Sequence, residues 1–392
     1  MSRQQAGTIA PVKKLRRVCY AGTWELDYPR NTLIIQALRD AGVRVETCHQ
    51  PLQAGAGGAW KLAPLTLVRL AFRVMLAYLR LLPDVALRLL RCDALVVGYI
   101  GQLDMIVLGS LACLMGKPVI FNPLVSLTDT LIEDRQRIAP GSLPGRLVEW
   151  IDRKSMNLAT VVLADTDQNA AFFAERFGVD PERICVVQVG VPVDIFRPVE
   201  RPATRIGPLD VLFVGKFIPL HGVDTIIRAA ALLKQRGAPV RIELVGTGQH
   251  YQSARELAAK LEADNIAWTD WIPFEDLGRR TATADVVLGI FDSGAKASRV
   301  IPNKVHQALA CAVPVVTAET PATRDFLEDG VSAMLVPPAD AERLADAIEQ
   351  LQDEELRARV GRQGYESWQK WGSRSALARQ TREALDRLVA LS

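Results

Sequence analysis

The sequence predicts an α/β protein of two facing Rossmann-like domains, each a parallel sheet covered by helices on both faces. Three observations predict it. Apolar strand patterns alternate with helical ones through nearly all 392 residues, as repeated β-α-β units do. One proline-rich, mixed-charge stretch, 197–208, interrupts the alternation near its middle. The chain is also longer than one core usually serves. The expected organisation is a disordered tail at 1–14, a first domain at 15–198, a linker at 199–209, a second domain at 210–372 and a closing helix at 373–392.

In order, 17–23 reads as a strand, 31–40 as a helix stopped by Ala41-Gly42, and 43–48 as a second strand. The leucine-rich stretch 62–90 is broken by Arg69, Arg73, Arg80, Pro83, Asp84 and Arg88. It falls short of the roughly 18 uninterrupted apolar residues of a membrane span. It reads as an amphipathic helix with Arg69, Arg73 and Arg80 on one face, suited either to water or to anionic lipid. Strands at 94–99 and 118–121 flank a helix at 103–115. A helix at 143–158 precedes strand 160–164, Thr166 or Asp167 caps helix 169–177, and strand 184–189 closes the half. Beyond the linker, strands at 211–214, 240–245, 267–271, 286–291, 313–317 and 333–336 alternate with helices, and 353–371 and 373–391 are helical.

Composition narrows the function. A formal net charge of +3, with no basic stripe interleaved with aromatics, argues against nucleic acid as a partner. The six cysteines are scattered with no CxxC pair, which suits a reduced, cytoplasmic chain. The four histidines form no ligand-spaced cluster, so no metal is expected. The cations at Lys13, Lys14, Arg16 and Arg17 lead into no apolar segment, so no signal peptide is expected.

Open α/β sheets bind ligands outside the carboxyl ends of their strands, and the candidate residues fall there. In GKFIPLHG, 215–222, a strand ends at Gly215, Lys216 follows at once, and a helix starts near His221-Gly222. Glycine allows close backbone approach, lysine supplies a point charge, and the helix start supplies N–H groups. A diphosphate suits all three. Gly246-Thr247-Gly248 ends another strand and would admit a phosphate or a ribose. Pro302 opens a helix on which Lys304 and Gln307 share a face with Asn303 at its start; Lys304 suits a phosphate and Gln307 ribose hydroxyls. In the first half, Gly22 ends a strand, Arg30 and Asn31 open a helix, and Ser126 and Asp129 follow the strand before Asn122. These suit an acceptor, or ordinary caps and turns.

With these residues in view, the chain resembles the family 4 glycosyltransferases of the GT-B fold over nearly its whole length. The resemblance is carried by Val214-Gly215-Lys216 through His221-Gly222-Val223-Asp224, Val245-Gly246-Thr247-Gly248, Trp271-Ile272-Pro273, 303–310 with Val313-Pro314-Val315-Val316, and 189–198. It implies a nucleotide diphosphate-sugar bound by the second domain through Gly215, Lys216, His221, Gly246, Thr247, Gly248, Ile272, Pro302, Asn303, Lys304 and Gln307, with Gly22 of the first domain facing it across the cleft. It implies a saccharide or lipid-linked acceptor held by the first domain near Arg30 and Asn31, retention of anomeric configuration, and no essential metal or other cofactor. Lys216, Asp129 and Ser126 are the catalytic candidates. The chain departs from the family at Lys216 and His221, where arginine and lysine are usual. It departs again at Arg299 and Gln307, where the family often has two glutamates eight positions apart. A sugar-nucleotide epimerase of the same fold, or a non-catalytic sugar-nucleotide-binding subunit, remains an alternative.

Overall fold

The structure is a computed structural model and describes residues 15–24, 29–51, 64–200 and 207–392. The tail expected at 1–14 and the middle of the expected linker, 201–206, lie outside them. The first half runs β1 (Arg17–Gly22), α1 (Pro29–Asp40), β2 (Arg44–His49), α2 (Pro64–Leu89), β3 (Ala94–Val97), α3 (Gln102–Asp104), α4 (Ser110–Leu114), β4 (Val119–Phe121), α5 (Leu143–Leu158), β5 (Val161–Ala164), α6 (Asp167–Phe177) and β6 (Ile184–Val186). π-helical turns at Met105–Gly109 and Asp129–Asp134 interrupt it. Its sheet is parallel, in the order β2-β1-β3-β4-β5-β6.

The second half runs β7 (Leu209–Val214), α7 (Val223–Gln235), β8 (Val240–Val245), α8 (Tyr251–Lys260), β9 (Ile266–Thr269), α9 (Phe274–Thr283), β10 (Val286–Leu288), α10 (Asn303–Ala310), β11 (Val315–Ala318), α11 (Pro321–Arg324), β12 (Met334–Val336), α12 (Ala341–Gln350), α13 (Glu354–Trp371) and α14 (Arg374–Ala390). Its sheet is also parallel, in the order β12-β11-β10-β7-β8-β9. The expected two Rossmann-like domains are therefore present.

Caps set the helix starts. Ser142 Oγ accepts the Gly145 N–H before α5, Thr166 that of Asn169 before α6, and Ser373 that of Ala376 before α14. Several strands end earlier than their apolar runs suggest. β3 stops at Val97 because the Tyr99 N–H turns to Asn31 Oδ1 (2.8 Å), and β10 stops at Leu288 while the Phe291 N–H turns to the His221 carbonyl (3.2 Å). These carboxyl ends leave their ladders to line the space between the domains.

The first sheet is covered on one side by α2, the 102–114 helical run, α5 and α6, whose Leu81, Val85, Met105, Leu108, Met156 and Phe173 meet Ala21, Val97 and Phe121. On the other side lie α1 and α14. Ala384, Leu385 and Leu388 of that last helix pack with Val18, Val96, Ile120 and Val161. The chain thus crosses back, and its closing helix completes the core of the first domain.

The domains also meet across the cleft. From the segment before α10, Arg299 pairs with Asp129 (2.7 Å) and Glu133 (3.6 Å), and Lys296 pairs with Asp129 and Asp134 (both 3.6 Å). Lys296 Nζ donates to Thr130 Oγ1 (3.1 Å), and Gln168 on α6 donates to Asp325 (2.7 Å).

Because Leu388 is fully buried against the first sheet, Leu388→Ala is expected to destabilise the first domain by about 2–5 kcal/mol, the usual cost of such a cavity. Urea unfolding followed by hydrogen exchange at β1 and β3 measures it; unchanged protection there would show that α14 is not part of that core.

Candidate functional site

The site is built at the carboxyl ends of β7, β8 and β9 and at the starts of α7 and α10. β7 delivers Gly215. A Cβ at this position would lie 2.7 Å from His221 Cε1 and 2.8 Å from Lys304 Nζ, so only glycine leaves room for the cluster. β8 delivers Gly246 at φ +131°, where a Cβ would stand 2.1 Å from the Gly215 carbonyl oxygen. The exposed Thr247 accepts the Phe217 N–H (3.0 Å), and a Cβ on Gly248 would lie 2.6 Å from that nitrogen. The two loops lie against one another, backbone to backbone.

Lys304 is the second residue of α10 and is buried. Its Nζ has no hydrogen-bond partner and stands 3.9 Å over the Phe213 ring. Burial pushes the ammonium well below its ordinary range. His221 ends a short turn, Pro219–His221, before Gly222 and α7. Its Nδ1 bonds the Lys216 carbonyl. A carbonyl only accepts, so Nδ1 carries the proton and Nε2 is left with its lone pair. Burial first, and then the nearby Lys304 charge, hold His221 well below the usual imidazole range. Lys216 itself is exposed. Neither α7 nor α10 has a side-chain cap at its start, so two positive helix ends open beside these cations. Gln307 lies half-buried one turn along α10 from Lys304, Pro302 occupies the N-cap position before Asn303, and Ile272, in the segment after β9, packs against the second domain's core.

Other expected residues have other occupations. Arg30 is buried, and its guanidinium donates to Asn122 Oδ1 (3.1 and 3.3 Å) and to the carbonyls of Val187 (3.0 Å) and Gln188 (2.5 Å). Asn31 accepts from the Tyr20 hydroxyl (2.8 Å) and the Tyr99 N–H (2.8 Å) and donates to the Tyr99 carbonyl (2.5 Å). Both staple the floor of the cleft; they do not reach into it, because each polar atom is committed to backbone or to a buried neighbour. Gly22 lies against Asp104, with a Cβ 2.7 Å from Oδ2, and Asp104 is occupied by Thr23 (2.8 Å) and the Tyr78 hydroxyl (2.8 Å). Ser126 Oγ accepts the Asp129 N–H (2.9 Å) as a local cap.

Asp129 lies at the cleft between Arg299 and Lys296; burial raises its carboxyl, and those two cations counteract the rise. Arg299, at one of the two positions where the resemblance implies a glutamate, turns to the other domain: besides its ion pairs it stacks on Phe172, 4.0 Å from the ring centroid.

The sequence reading missed Lys296, Asp134 and Asp152. Asp152 had a visible signal, a carboxylate on the apolar face of α5 between Val148 and Met156. It accepts the N–H groups of Leu127 (3.0 Å) and Thr128 (2.7 Å) and the Thr128 hydroxyl (2.7 Å), and burial lifts it to about 6. It thereby fixes the loop that presents Asp129. Among the described residues no group of three or more His, Cys, Asp or Glu is arranged to hold a metal ion.

A family model for group 1 glycosyl transferases matches residues 208–354, and one for the glycosyl transferase 4-like domain matches 29–190. D-inositol 3-phosphate glycosyltransferases are among the similar proteins. That of Kribbella flavida is 29% identical over 246 residues, covering 58% of this chain and 56% of that protein. That of Acidothermus cellulolyticus is 33% identical over 261 residues, 61% of this chain and again 56% of that protein. The chain thus matches little more than half the length of these relatives. Among solved structures, a sucrose-phosphate synthase from Thermosynechococcus elongatus superposes with TM-score 0.69 at 18% identity, covering 96% of this chain and 100% of that one. HepE of Anabaena, solved in complex with UDP, gives 0.65 at 16% identity, covering 95% and 99%. These likenesses show the fold. With one family model over each domain and the same paired-sheet architecture in the solved neighbours, the chain belongs to the family 4, group 1 glycosyltransferases of the GT-B fold.

Proposed function

We propose that the protein transfers a sugar, with retention of configuration, from a nucleoside diphosphate-sugar held by the second domain to a saccharide or lipid-linked acceptor held by the first. One observation carries this reading: the buried Lys304 ammonium, with no hydrogen-bond partner, facing Gly215, His221 and two helix starts. A buried cation left in this state is short of an anion. A diphosphate fits the space, because glycines at 215 and 246 clear the backbone and Lys216 stands at its mouth.

In the transfer, the bond between the anomeric carbon and the diphosphate oxygen breaks and an acceptor oxygen bonds to that carbon. The acceptor proton leaves with the departing diphosphate. Charge builds on the diphosphate as the bond lengthens, and Lys304, Lys216 and the helix N–H groups are already oriented toward it. The Asp129–Arg299 and Lys296 bridges hold the domains together over the reacting atoms and exclude water. These cations are protein side chains, so the chemistry proposed here needs no metal. No described helix is long and apolar enough to cross a membrane. For a lipid-linked acceptor, α2 supplies a surface contact: Phe72, Met75 and Leu79 are exposed beside Arg69, Arg73 and Arg80.

Lys304→Met keeps the stem and removes the charge. It is expected to weaken UDP binding by about 2 kcal/mol, the size of a lost charge-assisted bond, and to stabilise the free protein by about 1–3 kcal/mol by removing an unpaired buried donor. Calorimetric titration and thermal unfolding read the two effects; a variant that is both destabilised and unimpaired in binding would remove Lys304 from the site.

UDP binding should also take up a proton. The free His221 is depressed by burial and Lys304, and a bound diphosphate raises it by placing negative charge at Nε2. Affinity is therefore greatest below the depressed value of the free site and is lost as pH rises through the raised value of the complex. His221→Lys is expected to flatten this dependence. Calorimetry in buffers of different ionisation enthalpy gives the proton count, and zero uptake across the range would overturn the assignment.

Transfer from labelled nucleotide sugars to a lipid extract should persist in excess EDTA. Complete loss, restored by magnesium or manganese, would show that a metal carries the diphosphate.

A further inference from the structure

α5 presents to solvent a stripe that the fold does not explain. Leu143 is 82% exposed, Leu147 57% and Trp150 53%. Their spacing of four and three residues places them along one line of the helix. Gly145, Val148, Asp152, Ser155 and Met156 occupy the opposite, buried side. Arg146, Arg153 and Lys154 are exposed on the same outward arc. The acids of α5 do not offset them: Asp152 is buried beneath the cleft loop, and Glu149 is paired with Arg176 (2.6 Å). The helix therefore shows water three large apolar side chains, one of them an indole, framed by three cations.

We propose that this face of α5 docks the protein on an anionic lipid bilayer, with Leu143, Leu147 and Trp150 entering the headgroup boundary and Arg146, Arg153 and Lys154 meeting lipid phosphates. Charge decides the occupant. An isologous contact with a second copy would set the same three cations against themselves, whereas an anionic surface attracts each of them. An indole at the rim of an apolar stripe suits the interfacial layer, where its apolar body and its N–H are both satisfied. Position supports it too. α5 lies in the same helical layer as α2, with the 102–114 run between them, all on one face of the first sheet. α2 exposes Phe72, Met75 and Leu79 beside its own arginines, a second apolar and basic face in the same layer.

The docking helix is also joined to the cleft. Its inner residue Asp152 holds the N–H groups of Leu127 and Thr128, next to Asp129. A bilayer under α5 would thus lie beside the rim where a lipid-linked acceptor has to enter. This last step rests on the proposed transfer; the docking itself does not.

The test is flotation of the full chain with vesicles of phosphatidylcholine alone or mixed with phosphatidylglycerol. Binding is expected only to the anionic vesicles. Leu147→Ser with Trp150→Ser should abolish it. Arg146→Glu with Lys154→Glu should weaken it by at least about fivefold per residue, from roughly 1 kcal/mol for each surface cation. UDP binding by both variants should match wild type, which verifies their fold and separates failure of docking from failure of the donor site. In wild type, brominated lipid should quench tryptophan fluorescence, and Trp150→Phe should reduce that quenching. Unchanged flotation of the α5 variants while Arg69→Glu/Arg73→Glu/Arg80→Glu loses binding would overturn the proposal in favour of α2 alone. Quenching undiminished in Trp150→Phe would overturn it, as would a dimer seen by light scattering that the α5 variants dissociate.

Discussion

Moving an ammonium out of water without giving it a partner is among the costlier arrangements a folded chain can hold. The second domain holds one at Lys304, and much of the surrounding structure answers to it. Phe213 lies beneath as a weakly attractive ring face. A Cβ at position 215 would press on the His221 ring and on Nζ, so glycine there keeps the two together. Burial first, and then the lysine charge beside it, hold His221 well below the usual imidazole range. Its Nδ1–H is tied to the Lys216 carbonyl, which turns Nε2 outward. The free site is therefore poorly satisfied by its own packing, and the proposed diphosphate would supply the missing negative charge. Charges oriented before the ligand arrives need no reorganisation when the glycosidic bond breaks.

The same logic explains the unusual arginine. Lys296 and Arg299 precede α10 and would add two more cations to an already positive region. The first domain neutralises them with Asp129, Glu133 and Asp134 on its π-helical turn. With Asp129 and the two cations largely out of water, this ladder depends on the domains being together. Separating them would leave Asp129 and Arg299 each to be solvated anew, so closure and charge balance are one event. A carboxylate at 299 would face Asp129 as a like charge, and the arginine there is the complement of an acid the other domain supplies.

The architecture was legible because two periodicities alternate without ambiguity. α5 could be read to the residue from Leu143 to Leu158, and the two sheets followed from the order of apolar runs. The Gly215–His221–Lys304 cluster was legible because it sits on strand ends, where residue type has few other uses. What escaped is what depends on side-chain direction. Arg30 and Asn31 open a helix at a strand-end cleft, as ligand residues do, yet each turns inward to carbonyls that no sequence pattern locates. Asp129 and Arg299 are 170 positions apart, so nothing local announces their contact. The π-helical turn that carries Asp129 differs from an α-helix by one register step, which composition does not record.

The closing helix bears on how such a two-domain site can move. The chain passes between the domains twice, at the segment after Gly190 and again at Gly372-Ser373. At the first crossing Gly190 has φ +75° and Leu377 of α14 fills the place of its missing side chain; beside it, Ile195 lies so close to Gly278 that a Cβ there would stand 2.0 Å from the Ile195 carbonyl. Those contacts pin the crossing to both domains. Between the crossings lies a cavity of about 350 Å³, lined by Leu33, Ala37, Val191, Val193, Phe274 and Arg374. A packed core resists continuous deformation, so relative motion of the domains has to be taken up where the packing is open. Cavity and ion-pair ladder share no residues: one gives the domains room to rotate, and the other supplies the electrostatic reward for their staying together over the diphosphate site proposed above.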